Sequence, residues 1–389
     1  MPFSVDHENP VGEDLRLEYR YLDLRRKTMK ENAVMRHKIV METMNFFDKK
    51  EFLHLETPTF VKNTPEGSRE YVVPARFEPG KFFVLPQSPQ QFKQMLMVAG
   101  FDKYFQIARC YRDEDPRGDR QPEFTQVDFE LSFVEQQDIL ELIEEYFMHL
   151  SAKFYPNKKI KSEPFPVLTW KEAMDLYGID KPELRVDNFT FHEVTDWAKK
   201  SDFTVFQQAP CVKALVLPKE MGRSEVEKKY EFLAKSFGSK GMPWLCLSKE
   251  EGLKGSIAKF IDDAALEELK KITGATEGTT IIFQADTWLK ACEYLGKLRI
   301  EAIKQLDLLK GKENELAFCF VVDMPLFEEG DDGELGATHH PFTKPTDKDI
   351  EFVKKLGNKI ANGEKMTNEE REQLLEVKSD SYDIVLNGY

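Results

Sequence analysis

The sequence predicts an α+β fold with an antiparallel sheet, into which a second, smaller α+β domain is inserted. Three observations carry this. Two strands with one-sided alternation lie within Tyr104 to Phe133, a long amphipathic helix precedes them over about residues 28–49, and the texture changes from about Asp187 to Leu309. A chain of 389 residues is too long for one simple core, so two or three domains are expected.

Taken in order, residues 1–17 hold Pro, Gly, Asn and acidic side chains without periodicity and read as a linker entering the fold. Val34, Met35, Ile39, Val40, Met44 and Phe47 then recur at helical spacing. FLHLETPTFV is a short strand broken by Pro58, where a proline belongs on an edge or at a junction. KNTPEGSRE, with Pro65 and Gly67 flanking Glu66, has the composition of a loop. After the strand FFVLP, Ser88 is a good N-cap, Pro89 suits the first helical position and Gln91 completes a capping box, so a helix runs from Pro89 to about Ala99. Gln90 and Lys93 share a face near the positive end of that helix, where a lysine calls for an anion. That anion is either a ligand or a neighbouring carboxylate.

In the hairpin, Phe124, Gln126, Asp128, Glu130 and Ser132 alternate with Thr125, Val127, Phe129, Leu131 and Phe133. In its first strand, Tyr104, Gln106, Ala108, Cys110 and Arg112 share a face. A polar face of this kind goes dry only if something pairs with it. It suits a sheet floor under a polar ligand, and equally an ordinary hairpin with one solvated face. The joining loop adds Asp113, Glu114, Asp115, Arg117, Asp119 and Arg120, too many charges for a tight tip and fitting for a loop that reaches a partner.

Beyond the hairpin, QDILELIEEYFMHLSAKFY is amphipathic and a basic connector follows. The strands CVKALVLP, PWLCLS and TTIIFQAD alternate with charged helices in the inserted region. The last part has strand-like LAFCFVVDMPLF, an acidic Gly-rich turn, a polar helical stretch from Asp347 to Val377, and SYDIVLNGY, which reads as stopping within a strand.

Composition narrows the function. With 41% hydrophobic and 32% charged residues, and a net charge of -14, the chain has the profile of a soluble protein that does not bind DNA or anionic membranes nonspecifically. A local basic patch for phosphates remains compatible with that balance. Five scattered cysteines without CxxC spacing read as buried free thiols in a reducing compartment. The absence of an apolar run long enough to span a bilayer points to a cytoplasmic protein. No nucleophile triad, Walker loop or GxGxxG is present, and His339 and His340 lack the spacing of a metal site. A substrate-contacting pair suits them better. An arginine on a sheet floor, a lysine and amides at a helix start, and nearby carboxylates match a zwitterionic ligand plus phosphate, where catalysis comes from positioning and charge stabilisation.

RYLDLRR, LETPTF, TPEGSRE, LPQSPQQFKQ, CYRDEDPRGDRQPEFTQVDFELSF, YGIDKPELR and HHPFT together resemble the aspartyl-tRNA synthetases of class II, in their bacterial form with an insertion between motifs 2 and 3. Residues 1–17 would then be a linker from an absent anticodon-binding domain. Residues 18–186 would be the first part of the antiparallel-sheet catalytic domain, 187–309 the inserted α+β domain, and 310–389 a second part truncated before motif 3. The resemblance implies that Arg112 and Glu114 are catalytic, with Arg112 joining the aspartate carboxylate to the ATP α-phosphate. Phe124 would stack on adenine beside Glu114 and Gln126. Glu66, Ser88, Gln90, Lys93, Asp128, His339 and His340 would surround L-aspartate. Arg117 and Arg120 would meet the acceptor end of tRNA, and Asp383 would help hold Mg²⁺. Pro58 matches the motif 1 proline of a homodimer interface, while Glu51 stands where that motif usually has glycine. Asparaginyl and lysyl enzymes are rivals within the class. The alternative from another class is an impaired paralogue or fragment that binds RNA or protein. Without motif 3 this stretch alone is expected to lack full activity.

Overall fold

The computed structural model describes residues 2–5, 10–63, 68–115, 120–330, 333–338 and 343–389. The fold is α+β, and the chain divides into two compact units, Met1–Tyr155 and Pro156–Tyr389.

The first unit opens with α1 (Glu13–Glu18) and α2 (Arg20–Asp23), so helix begins within the stretch that the sequence leaves irregular. Ion pairing is the reason: Arg16 and Arg20 reach the fully buried Asp23 at 2.9 and 2.6 Å, and tie these turns together. The long helix α3 (Lys27–Lys49) leads into β1 (Leu53–His54) through Glu51, whose φ of 65° is the left-handed conformation that explains a glycine preference at this turn. A small hairpin of β2 (Val72–Pro74) and β3 (Phe82–Val84) precedes α4 (Gln90–Val98). Next come the paired strands β4 (Lys103–Tyr111) and β5 (Glu123–Leu131), then α5 (Gln136–Phe154). The sheet order is β1-β4-β5, with β4 and β5 antiparallel over their whole length and β1 parallel to β4. Phe46, Phe47, Phe52, Phe105 and Tyr146 form the core between α3, α5 and the apolar face of this sheet.

The second unit begins with β6 (Lys159–Ile160), β7 (Val167–Thr169) and α6 (Trp170–Tyr177). Its largest sheet uses β8 (Phe191–Glu193), β9 (Cys211–Leu217), β10 (Trp244–Ser248), β11 (Gly252–Gly255) and β12 (Thr279–Asp286) in the order β11-β10-β12-β9-β8, all antiparallel. Around it lie α7 (Thr195–Ala198), α8 (Thr204–Gln208), α9 (Arg223–Glu225), α10 (Phe232–Ser236), α11 (Asp263–Thr273) and α12 (Trp288–Gln305). Both faces are buried. Leu215, Leu217, Trp244 and Ile282 pack under Leu295 and Leu298 of α12, while Val212, Ala214, Leu245, Ile281 and Phe283 pack against Trp197, Phe206 and Leu269. Strands buried on both sides read as continuous apolar runs, as these do.

Helix α6 ends at Gly178 in the left-handed conformation, φ 69°, directly against α12. A Cβ on Gly178 would stand 2.1 Å from the Cys292 carbonyl, and one on Gly296 would stand 2.4 Å from the Gly178 carbonyl, so only glycine fits at either position. The chain continues through β13 (Glu315–Leu316), β14 (Phe318–Val322), the hairpin β15 (Phe327–Glu329) and β16 (Leu335–Ala337), α13 (Ile350–Ala361), α14 (Asn368–Leu375) and β17 (Tyr382–Leu386). Strands β17, β14 and β7 form a sheet in that order. The polar stretch after Asp347 is thus two helices, parted where Gly363 takes φ 83°. The last strand ends at Leu386 and is followed by a turn at Asn387 and Gly388, both at positive φ, which corrects the expectation of a chain stopping within a strand. Among the described residues no helix is long and apolar enough to cross a membrane.

Candidate active site on the hairpin floor

The register of β4 and β5 sets Tyr104 opposite Glu130, Gln106 opposite Asp128, Ala108 opposite Gln126 and Cys110 opposite Phe124. The polar faces expected of each strand are therefore one continuous face. Tyr104, Gln106 and Cys110 are nevertheless buried, which an ordinary solvated hairpin face does not do.

Lys93 explains part of this. It projects from the first turns of α4, is 8% exposed, and its Nζ donates to Asp128 Oδ1 at 2.8 Å and lies 3.3 Å from Glu130 Oε2. One cation thus holds two carboxylates. Burial raises the Asp128 carboxyl above the ordinary carboxylate range, and the charge of Lys93 opposes that rise. Beside it, burial raises the Tyr104 hydroxyl, with the negative charge of Asp128 adding to the effect. That hydroxyl donates to Gln106 Oε1 at 2.8 Å, and the same oxygen accepts from the Thr57 backbone N–H at 3.2 Å and its Oγ1 at 3.0 Å.

At the other end, Arg112 follows β4 directly and its guanidinium stands over the Phe124 ring at 5.2 Å. Its Nε is buried without a hydrogen-bond partner, a donor left for an acceptor to meet. Gln126 accepts from the Cys110 thiol at 3.2 Å. The floor therefore has a guanidinium and an aromatic face at one end and a cation with two carboxylates at the other. A ligand carboxylate can take Lys93 while a ligand ammonium takes Asp128, an exchange of partners within an existing network.

Of the residues singled out from sequence, Lys93, Asp128, Gln126, Phe124 and Arg112 gather on this floor. Gln90 is half-buried at the start of α4. Ser88 does not cap α4 through a capping box, which corrects that expectation. The helix starts after Pro89, and the Ser88 Oγ accepts instead from the Gln90 backbone N–H at 3.2 Å, a local turn that competes with the cap. Glu114 and Arg120 are exposed beyond the strand ends. Glu66, Arg117, His339 and His340 lie outside the described residues. Asp383 belongs to the second unit, half-buried on β17 opposite Val321. Among the described residues no three His, Cys, Asp or Glu side chains converge as a metal site, so Asp383 offers one carboxylate rather than a cage. A groove of about 1370 Å³ in the second unit, walled by Trp170, Trp288 and Phe327, holds none of the expected residues.

Sequence reasoning assigned no role to Glu130, although its parity with Asp128 marks it. Gln87, 1% exposed and bonded to Ser68, carries no periodic signal at all.

A family model described as tRNA synthetases class II (D, K and N) matches residues 12–389. The chain is 42% identical over 400 residues to an aspartate--tRNA(Asp/Asn) ligase of Thermodesulfovibrio yellowstonii, covering 100% of this chain and 64% of that protein. It is 42% identical over 394 residues to the protein of the same name from Natranaerobius thermophilus, covering 100% and 63%. An aspartate--tRNA ligase of Bacteroides fragilis is 42% identical over 392 residues, with 100% and 63% covered. The chain spans 63–64% of the length of these curated relatives.

Proposed function

Because the chain belongs to the class II tRNA synthetases of the D, K and N group, we propose that the protein carrying it is an aspartate-tRNA ligase. It joins L-aspartate to ATP and passes the aspartyl group to the 3′ end of tRNA. The observation that supports aspartate is the buried Lys93 bridging Asp128 and Glu130. A side-chain carboxylate is the group that takes Lys93 from them, and the freed Asp128 then receives the substrate ammonium; Ser88, Gln90, Glu66, His339 and His340 serve the amino acid as further binding residues.

In the first step an oxygen of the aspartate α-carboxylate attacks the α-phosphorus, the bond to the bridging oxygen breaks, and pyrophosphate leaves. Arg112 neutralises both reacting anions and holds them together, so the rate comes from positioning and charge. Phe124 carries the adenine face, with Gln126 and Glu114 at its edge. In the second step a terminal ribose hydroxyl of tRNA attacks the aspartyl carbonyl, AMP departs, and Arg117 and Arg120 steady the acceptor end. Asp383 would supply one carboxylate to Mg²⁺, and the ion would contribute charge neutralisation at the phosphates. Residues 18–186 and 310–389 serve as parts of the catalytic domain and 187–309 as its insertion. The exposed Pro58 region serves a homodimer, and the protein works in the cytoplasm.

The test is amino-acid-dependent ATP–pyrophosphate exchange by the full-length protein. Exchange with aspartate, and not with asparagine or lysine, is expected. Exchange driven by either of those, or by none of the three, overturns the reading.

A further inference from the structure

Resting on the reading just given, we propose that Gln87 is a positioning residue that fixes the path of the chain carrying Arg112. Its carboxamide treats Ser68 as a neighbouring strand would: Oε1 accepts from the Ser68 Oγ at 2.6 Å and backbone N–H at 3.2 Å, and Nε2 donates to the Ser68 carbonyl at 3.0 Å. The side chain is 1% exposed, so water does not substitute for these bonds.

The residues flanking Arg112 are held from the two segments that this carboxamide joins. The Tyr111 N–H donates to the Pro86 carbonyl at 2.9 Å, immediately before Gln87, and the Asp113 N–H donates to the Arg69 carbonyl at 3.0 Å, immediately after Ser68. One anchor thus lies on each side of Arg112, and Gln87 is the side-chain tie between the anchors. The tie sets where the guanidinium stands over Phe124.

The chemistry requires glutamine. Asparagine is one methylene too short to make the same reach. Glutamate keeps the acceptor but turns a buried carboxylate toward the Ser68 carbonyl and loses the donor. Leucine leaves the Ser68 donors and carbonyl without partners.

The full-length protein carries the test, with Gln87→Leu and Gln87→Glu. A displacement of about 1 Å at a positioned group costs roughly 100-fold in rate. In Gln87→Leu, kcat for aspartate-dependent exchange is expected to fall by about that factor while the far-UV circular dichroism is kept. In Gln87→Glu the protonated carboxyl regains a donor. Its activity relative to wild type is therefore expected to recover as pH falls, a pH profile that simple loss of packing does not produce. Amide hydrogen exchange supplies a readout independent of activity: Asp113 is expected to lose protection at least tenfold in Gln87→Leu while Asp128 keeps it. Unchanged kcat with unchanged Asp113 protection overturns the inference, as does a Gln87→Glu pH profile that parallels wild type. A wild-type protein without aspartate-dependent exchange would instead refute the ligase reading, and Asp113 protection would still decide the role of Gln87.

Discussion

Lys93 holds two carboxylates in a place with little water, and removing it leaves the Asp128 charge buried and uncompensated. Breaking a buried pair on one side costs about 3 kcal/mol. Lys93→Met is therefore expected to lower stability by about that amount, and adding Asp128→Asn to recover most of it, as read from urea unfolding of the full-length protein. Equal instability of the single and double variants would show that Lys93 acts through packing of its stem instead. The parity of the residues in β5 made Asp128 legible from the sequence, and the start of α4 made Lys93 legible. Their meeting was not, because it depends on how a helix lies on a strand pair distant from it in the chain. Tyr104 and Gln106 were visible only as members of a face. Three donors converge on the single Gln106 oxygen, and two of them come from Thr57, in a segment that no local pattern connects to β4.

Helices α3 and α5 are joined by a polar clasp beside the aromatic core. Glu42 accepts from Lys153 and from His149 Nε2 at 2.6 Å, and the Thr43 hydroxyl meets that of Tyr146 at 2.7 Å. The Lys153 bond, then the His149 bond, hold the Glu42 carboxyl down to about 2, against an ordinary 4.5. A lowered folded pKa gives stability that is present above the unfolded value and lost as pH falls toward the folded one. Glu42→Gln is thus expected to be less stable than wild type at pH 7, with the difference shrinking between about pH 4.5 and 2 in thermal melts. A difference independent of pH over that window would assign the effect to packing. At this scale the sequence was most readable: amphipathic periodicity located α3 and α5 closely, and β-branched and aromatic runs located β9, β10 and β12. Caps and turns were less so. The Ser-x-x-Gln pattern ahead of α4 failed because Pro89 and the Ser88 hydroxyl close a turn of their own.

Across the whole chain the five cysteines are buried thiols. Burial pushes the Cys211 thiol up to about 11, and those of Cys292 and Cys319 up to about 12. Thiolate is the reactive form, so a disulfide reagent at pH 8 is expected to react with the native 389-residue chain at least ~100-fold more slowly than with free cysteine, and rapidly with all five thiols in urea. Fast labelling of the native chain would contradict the burial of at least one of them. Composition announced the strands and helices of residues 187–309 but not the division at Tyr155, since texture follows local residue choice whereas compactness follows contacts between distant segments. The glycine crossing of α6 and α12 has a consequence for the chain as a path. It departs from that point at Gly178, builds the five-stranded sheet, and comes back to the same point at Gly296. The excursion is a loop whose two ends meet backbone to backbone, so the neck from which the five-stranded sheet hangs is as narrow as two peptide units allow.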